Sequence, residues 1–196
     1  MGSGSGSRRR GADSLDTPVE KQHSLAARVV RAARLEGELY REVATDTRAT
    51  PQAIFVVLAA GLLSGLGGAT GGFEVVITSV MLAPFGWLIT SFLAYFIGRR
   101  VMGAGGATSL EAMARALGFA HAPALIGVLA LIPTVGIAIA VALICWRLAA
   151  MTLAIRASMG VGTGPAVMII VLSMVTLGVV AFSVDWIATG GAAPTV

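Results

Sequence analysis

Between Ala49 and Phe73 the chain runs for 25 residues without an aspartate, glutamate, lysine, arginine or histidine. At about 1.5 Å of rise per residue, a helix of that length exceeds the roughly 30 Å hydrocarbon layer of a bilayer. The rest of the chain follows the same segregation: sixteen of the twenty-four charged side chains precede residue 51. With 56% hydrophobic and 12% charged residues, against about 25% charged in an average soluble domain, this is not the composition of a soluble globule. The chain reads as a polar N-terminal segment followed by membrane.

Four further crossings follow from the apolar runs. Thr50-Pro51 supplies the start signal of the first helix, and the glycines from Gly65 to Gly72 supply its end and an exit loop. Val75 to Gly98 is charge-free and closed by Arg99 and Arg100, with Pro84 and Gly86 placed to kink it. Ala122 to Ile155 is apolar apart from Arg147 and too long for one crossing, and Pro133-Thr134-Val135-Gly136 within it reads as a turn. A reversal there leaves a full crossing from Gly136 to Ser158 and a short leg from Pro123 to Ile132. That leg needs the preceding residues, bilayer thinning or a re-entrant path to complete it. The last run, Pro165 to Ala188, follows the Gly160-Val161-Gly162-Thr163-Gly164 loop. The expectation is an all-α polytopic transmembrane helix bundle, its membrane domain covering 47–190 with spans near 52–68, 75–98, 121–133, 136–158 and 165–188.

Lysine and arginine are retained on the cytoplasmic side of a membrane, which gives an independent test of that count. Five crossings put the nine basic residues before the first span, then Arg99, Arg100 and Arg115, then Arg156, all on one side. Four crossings would place Arg147 and Arg156 in an external loop. The N-terminus is therefore expected in the cytoplasm and the C-terminus outside.

Residues 1–23, with their Gly-Ser repeat, read as a disordered polar tail or an artificial linker, and no apolar signal-peptide core follows Arg8, Arg9 and Arg10. That basic cluster lacks accompanying aromatics and suits anionic lipid, not nucleic acid. Residues 24–46 form a cytoplasmic amphipathic helix. Ser24 is its cap, Leu25, Val29, Ala32, Leu35, Leu39 and Val43 lie on one face, and Arg28, Arg31, Arg34, Glu38 and Glu42 fall largely elsewhere. It can lie on headgroups with its arginines outward or pack on its own bundle or a partner; amphipathicity does not choose. Thr108-Ser109-Leu110-Glu111 fits a capping box and starts a short interfacial helix that Gly118 ends.

Arg147 lies about 14 Å along a helix from Arg156, which places it near the bilayer middle. A charge there costs at least about 2.5 kcal/mol, so it faces protein, a water pocket or, by snorkelling, the interface. Asp185 and Glu74 are the carboxylates near the apolar layer able to meet it, and the three form the candidate intramembrane polar site. The alternative is a snorkelling arginine with two solvated acids. Gly61 and Gly65, with Ser64 beside them, give the first helix a small-residue face for packing within the chain or between copies. Trp186 suits an aromatic belt, whereas Trp87 and Trp146 should pack between helices. Cys145 reads as a packed apolar side chain and His121 as an interfacial histidine beside a helix start.

Enzyme signatures are sparse. Lys21 is the only lysine, so there is no Walker A loop, and the glycines from Gly160 to Gly164 lack the spacing of a dinucleotide site. With His23 and His121 the only histidines and one cysteine, no zinc pattern exists, and neither cofactor nor metal is expected. A Ser64–His121 dyad would require residues assigned to opposite boundaries to meet.

Leu117-Gly118-Phe119, Pro123, the Ile132-Pro133 turn with Gly136, Trp146 and Ala154-Ile155-Arg156 together resemble the Yip family, membrane proteins named for interaction with Ypt/Rab GTPases. The resemblance covers about residues 47–190 and is to a bacterial member. It implies five transmembrane helices, a cytosolic N-terminus and a bacterial inner membrane. The acidic glycine-proline segment that introduces the first span in eukaryotic members is replaced here by Arg48-Ala49-Thr50-Pro51, so GTPase binding does not carry over. The function expected is that of a non-enzymatic membrane scaffold or partner-recruiting protein in membrane organisation or trafficking. Its partners would be the lipid bilayer and other membrane proteins or further copies of the chain. The alternative is a small transporter or channel subunit using Arg147.

Overall fold

The computed structural model describes residues 24–67, 72–103, 108–132 and 135–188, without the side chains of residues 181, 184, 185 and 188. The N-terminal tail, the glycine loop after Gly67 and the Pro133-Thr134 turn residues lie outside the described residues, where every element is helical. In chain order these are α1 (Leu25–Ala33), α2 (Gly37–Thr45), α3 (Ala49–Gly67), α4 (Phe73–Phe96), a π-helical turn (Ile97–Val101), α5 (Leu110–Phe119), a 3-10 segment (Ala122–Leu131), α6 (Gly136–Met159) and α7 (Thr163–Ala188). Among the described residues five stretches are long and apolar enough to cross a membrane: Ala49–Gly67, Phe73–Val101, Leu110–Leu131, Gly136–Met159 and Thr163–Val180.

The amphipathic pattern forms two helices, not one. Ser24 caps α1 by accepting from the Ala27 amide at 3.3 Å. The helix is closed off just past its C-cap Arg34 by Leu35, whose φ of 61° is left-handed. Leu35 donates to the Ala32 carbonyl and Glu36 to the Arg31 carbonyl, the bond pair of a Schellman ending with leucine where glycine is usual. The chain turns there, and α2 folds back beside α1. Both then pack on the bundle: Leu39, Tyr40 and Val43 are completely buried, in one core with Met113, Leu117, Met151 and Ile155. Of the two dockings open to this segment, the chain uses its own bundle.

Arg28 makes that docking specific. Placed by the sequence pattern on the polar side, it is 1% exposed. Its Nε and Nη2 donate to Glu42 Oε1 at 3.1 and 2.9 Å, Nη2 also reaches Asp46 Oδ2 at 2.6 Å, and Nη1 donates to Gln52 Oε1 at 2.9 Å. One guanidinium thus joins α1, α2, the turn after α2 and the first turn of α3. Asp46 also accepts from the Arg48 amide, which shapes the turn into α3. Arg31 extends the network to Glu36 and Glu42. From the other side, Arg115 of α5 donates to the Val43 and Ala44 carbonyls at the end of α2, and Trp146 of α6 donates to the Ala33 carbonyl at the end of α1. Carbonyls that have lost their helical partners are thereby satisfied.

Helix α3 packs antiparallel to α4 and parallel to the stretch formed by α5 and the 3-10 segment, where Gly118 meets Ala53 and Gly127 meets Ser64. A Cβ on Gly61 would stand 2.8 Å from that of Ala83, and one on Gly65 would stand 2.9 Å from that of Ser79, so the small-residue face of α3 is occupied by α4 of the same chain. Helix α4 runs unbroken through Pro84. The irregularity lies further on, in the π-helical turn, where Gly98 admits the Met159 side chain against its backbone. The short helix α5 is present, but its N-cap is Ser109, accepting from the Ala112 amide, while Thr108 donates to the Ser158 carbonyl. Gly118 lies inside α5 against Ala53, and the helix ends one residue later. Met113, Ala116, Leu117 and Phe119 are fully buried, so α5 packs within the bundle. It continues through the 3-10 segment, which resolves the length of the short leg: the apolar stretch is Leu110–Leu131. That segment and α6 run antiparallel, since Gly136 abuts the Ala130 carbonyl and His121 meets Arg147. The chain reverses where the proline turn was read.

Three predictions follow from the docking and the α3–α4 contact. Removing one partner of a buried charge cluster costs about 3–5 kcal/mol, and Glu42 and Asp46 retain partial exposure, so Arg28→Ala should lose about 3 kcal/mol in unfolding of the detergent-solubilised chain. Burial alone would raise the Glu42 pKa, but hydrogen bonds from Arg31 and Arg28 outweigh it and hold the carboxyl below its usual range. A depressed carboxylate stabilises the fold above its unfolded pKa and loses that contribution as pH falls through the folded one, so acidification below the ordinary glutamate range should lower the melting temperature of wild type more than that of Glu42→Gln. Gly61→Val should cost about 2 kcal/mol in the same measurement by forcing α3 from α4.

Candidate functional site

Helices α4 and α6 both pack on α5 and α7 yet are not packed on each other. Between them lies a cavity of about 480 Å³, walled by α3, α4, the 3-10 segment, α6 and α7. Its apolar rim includes Leu82, Ile144, Leu148 and Met174, which are also exposed on the outer face of the bundle. The polar groups inside are Arg147, His121, Ser64, Ser79 and Thr90.

Arg147 Nη2 lies 2.6 Å from His121 Nε2, and His121 Nδ1 lies 2.9 Å from the Leu117 carbonyl. A carbonyl only accepts, so Nδ1 carries the ring proton and Nε2 offers its lone pair to the guanidinium. The histidine is neutral in this arrangement and leaves the arginine charge uncompensated. Arg147 Nε is buried and has no hydrogen-bond partner among the described residues. Helix α6 fixes the arginine, and the step from α5 into the 3-10 segment at Ala120–His121 fixes the imidazole.

This is a different constellation from the one read in the sequence. Glu74 is exposed in the first turn of α4, where the helix dipole favours a carboxylate, and forms no described ion pair with Arg147. The side chain of Asp185 lies outside the described residues. His121, read as interfacial, is 4% exposed and holds the arginine. Ser64 and His121, assigned to opposite boundaries, line one cavity, although no hydrogen bond joins them. Cys145, read as packed, is exposed on the outer face of α6. Gly61, Ser64 and Gly65 combine two roles, since Gly61 and Gly65 hold α3 on α4 while Gly61 and Ser64 border the cavity. Trp87 is buried as expected, donates to the Ala114 carbonyl at 2.8 Å and forms part of the wall. Trp186 is exposed, as a belt residue would be.

A cation beside a neutral imidazole with hydroxyls nearby can hold an anion or an acceptor, and among the described residues no carboxylate lines the cavity to serve as general base. Among the described residues no group of three histidine, cysteine, aspartate or glutamate side chains can hold a metal.

No curated protein and no solved structure matches the chain. A family model, the Yip1 domain, matches residues 37–184, from the first residue of α2 into the last turns of α7. That match spans most of the chain and includes the docked helix α2, all five apolar stretches and both Arg147 and His121. The chain is an integral membrane protein and belongs to the Yip1 domain family.

Proposed function

We propose that the protein is a non-enzymatic membrane scaffold that recruits partners through the cap formed by α1 and α2, with the N-terminus in the cytoplasm and the C-terminus outside, in a bacterial inner membrane. The observation that carries this reading is the Arg28 network, which holds the cap as one rigid surface over the bundle. A surface that is ordered before binding has less conformational entropy to lose when a partner docks. Its outward residues, Val30, Arg34, Glu38, Arg41 and Arg48, mix apolar and charged groups as a docking face does. The orientation rests on charge. Exposed Arg48, Arg99, Arg100 and Arg156 share the cap end of the bundle, while among the described side chains of the other end the one charged group is Glu74. The Yip resemblance supports a role in membrane organisation or trafficking.

The cavity favours a second reading, a small transporter or channel subunit, since a charge facing an intramembrane space is a common feature of solute paths. In proteoliposomes, a solute flux abolished by Arg147→Ala would replace the scaffold reading with this one.

Photo-cross-linkers at Val30 and Arg41 in native membranes should yield discrete protein adducts that disappear in Arg28→Ala, while a cross-linker at Phe182 should be indifferent to that change. Adducts confined to lipid would overturn the scaffold reading. For the orientation, Gly162→Cys in a Cys145→Ala background should resist an impermeant thiol reagent in intact cells and react in inverted vesicles, with Glu74→Cys behaving oppositely; the reverse pattern would overturn it.

A further inference from the structure

We infer that the cavity at Arg147 is a binding site for a phosphate group. Partner docking on the α1–α2 cap and anion binding here involve different surfaces, so either can fail without the other.

Three observations carry the inference. The first is the arginine itself. A guanidinium withdrawn from water needs an anion or a full set of acceptors, as Arg28 has in Glu42, Asp46 and Gln52. Among the described residues Arg147, itself half-buried, has one neutral acceptor, His121, and its buried Nε–H has none. Because His121 takes up one Nη2 direction, the remaining donors form the planar fork that suits the oxygens of a phosphate.

The second observation concerns hydroxyls. Within the apolar helices Ser91, Thr152, Ser158, Ser173, Thr176 and Ser183 each donate to the carbonyl one turn earlier, the usual refuge of a hydroxyl away from water. The hydroxyls of Ser64, Ser79 and Thr90, which line the cavity, make no hydrogen bond among the described residues, nor does that of Thr78, which lies outside the cavity on α4. Three donors on α3 and α4 therefore remain available on the same space as the arginine. Phosphate oxygens accept from cations and hydroxyls together, and among the described residues no carboxylate lines the cavity to repel them.

The third is the mouth. Leu82 on α4, Ile144 and Leu148 on α6, and Met174 on α7 line the cavity and are exposed on the apolar outer surface. The space is thus polar at its centre and apolar toward the side that faces hydrocarbon. This shape admits the headgroup of an anionic lipid with the start of its chain, and the same donors would hold a free phosphate ion.

Trp87 supplies a reporter, being 7% exposed and part of the cavity wall. Trp146→Phe with Trp186→Phe leaves it as the only tryptophan of the three in the full chain. This protein is placed in phosphatidylcholine vesicles doped, at equal bromine content, with either brominated-acyl phosphatidylglycerol or brominated-acyl phosphatidylcholine. Saturable quenching by the phosphatidylglycerol in excess of the phosphatidylcholine assigns the site to a lipid headgroup. A change in Trp87 emission on adding inorganic phosphate, without that lipid preference, assigns the same chemistry to a soluble anion. In either arm Arg147→Gln should raise the half-saturating concentration about tenfold or more, while Arg147→Lys, which keeps the charge but not the planar fork and guards against a folding artefact, should fall between wild type and Arg147→Gln. Equal quenching by the two lipids together with no response to phosphate, or an unchanged response in Arg147→Gln, would overturn the inference.

Discussion

A guanidinium withdrawn from water must find anions, and Arg28 finds them in a way that fixes the order of the first three helices. Glu42 lies on α2, Asp46 in the turn that follows and Gln52 on α3, so satisfying one side chain sets the crossing of α1 on α2 and the start of the first apolar helix together. The geometry also explains the break at Leu35. A continuous helix would carry Glu42 away from Arg28 by about 1.5 Å per residue, whereas the left-handed turn brings α2 back alongside.

The same physical problem is handled differently at Arg147. There the neighbour is a neutral imidazole oriented by a backbone carbonyl, and the charge remains. The contrast follows the packing of the molecule. The cap end is filled by side chains from α1, α2, α3, α5 and α6, many with no exposure, while between α4 and α6 the bundle opens into the cavity. Rigidity and open space are thus separated along the bundle, and the two candidate activities, partner docking and anion binding, divide in the same way.

The spans were legible because crossing a bilayer demands a long charge-free run, a property of consecutive residues. Arg147 was legible as an anomaly for the same reason. Its partner was not, because the neighbours of His121 in sequence show only the edge of an apolar run and not its place across the hairpin. The signal existed: His121 and Arg147 stand at equal separation from Thr134 in the turn. Cys145 was misplaced by a rule drawn from soluble proteins, in which an exposed thiol on an apolar segment is uncommon; in a membrane bundle the outward face is apolar as well. Arg28 falls on the polar face of the pattern because helical periodicity separates polar from apolar faces but does not reveal that a second helix will supply acids to the polar one.

By itself, then, the sequence determined the number of crossings, the reversal between the third and fourth, the segregation of positive charge to one end and the family to which the chain is similar. Each of these depends on local runs and counts. Only the tertiary structure decided that the amphipathic segment docks on its own bundle, that Gly61 and Gly65 are taken up by α4, and that Arg147 meets a histidine in a shared cavity. Those outcomes depend on which faces of distant helices come together, and an apolar helix whose sides are nearly equivalent in hydrophobicity carries no local mark of the side it will bury.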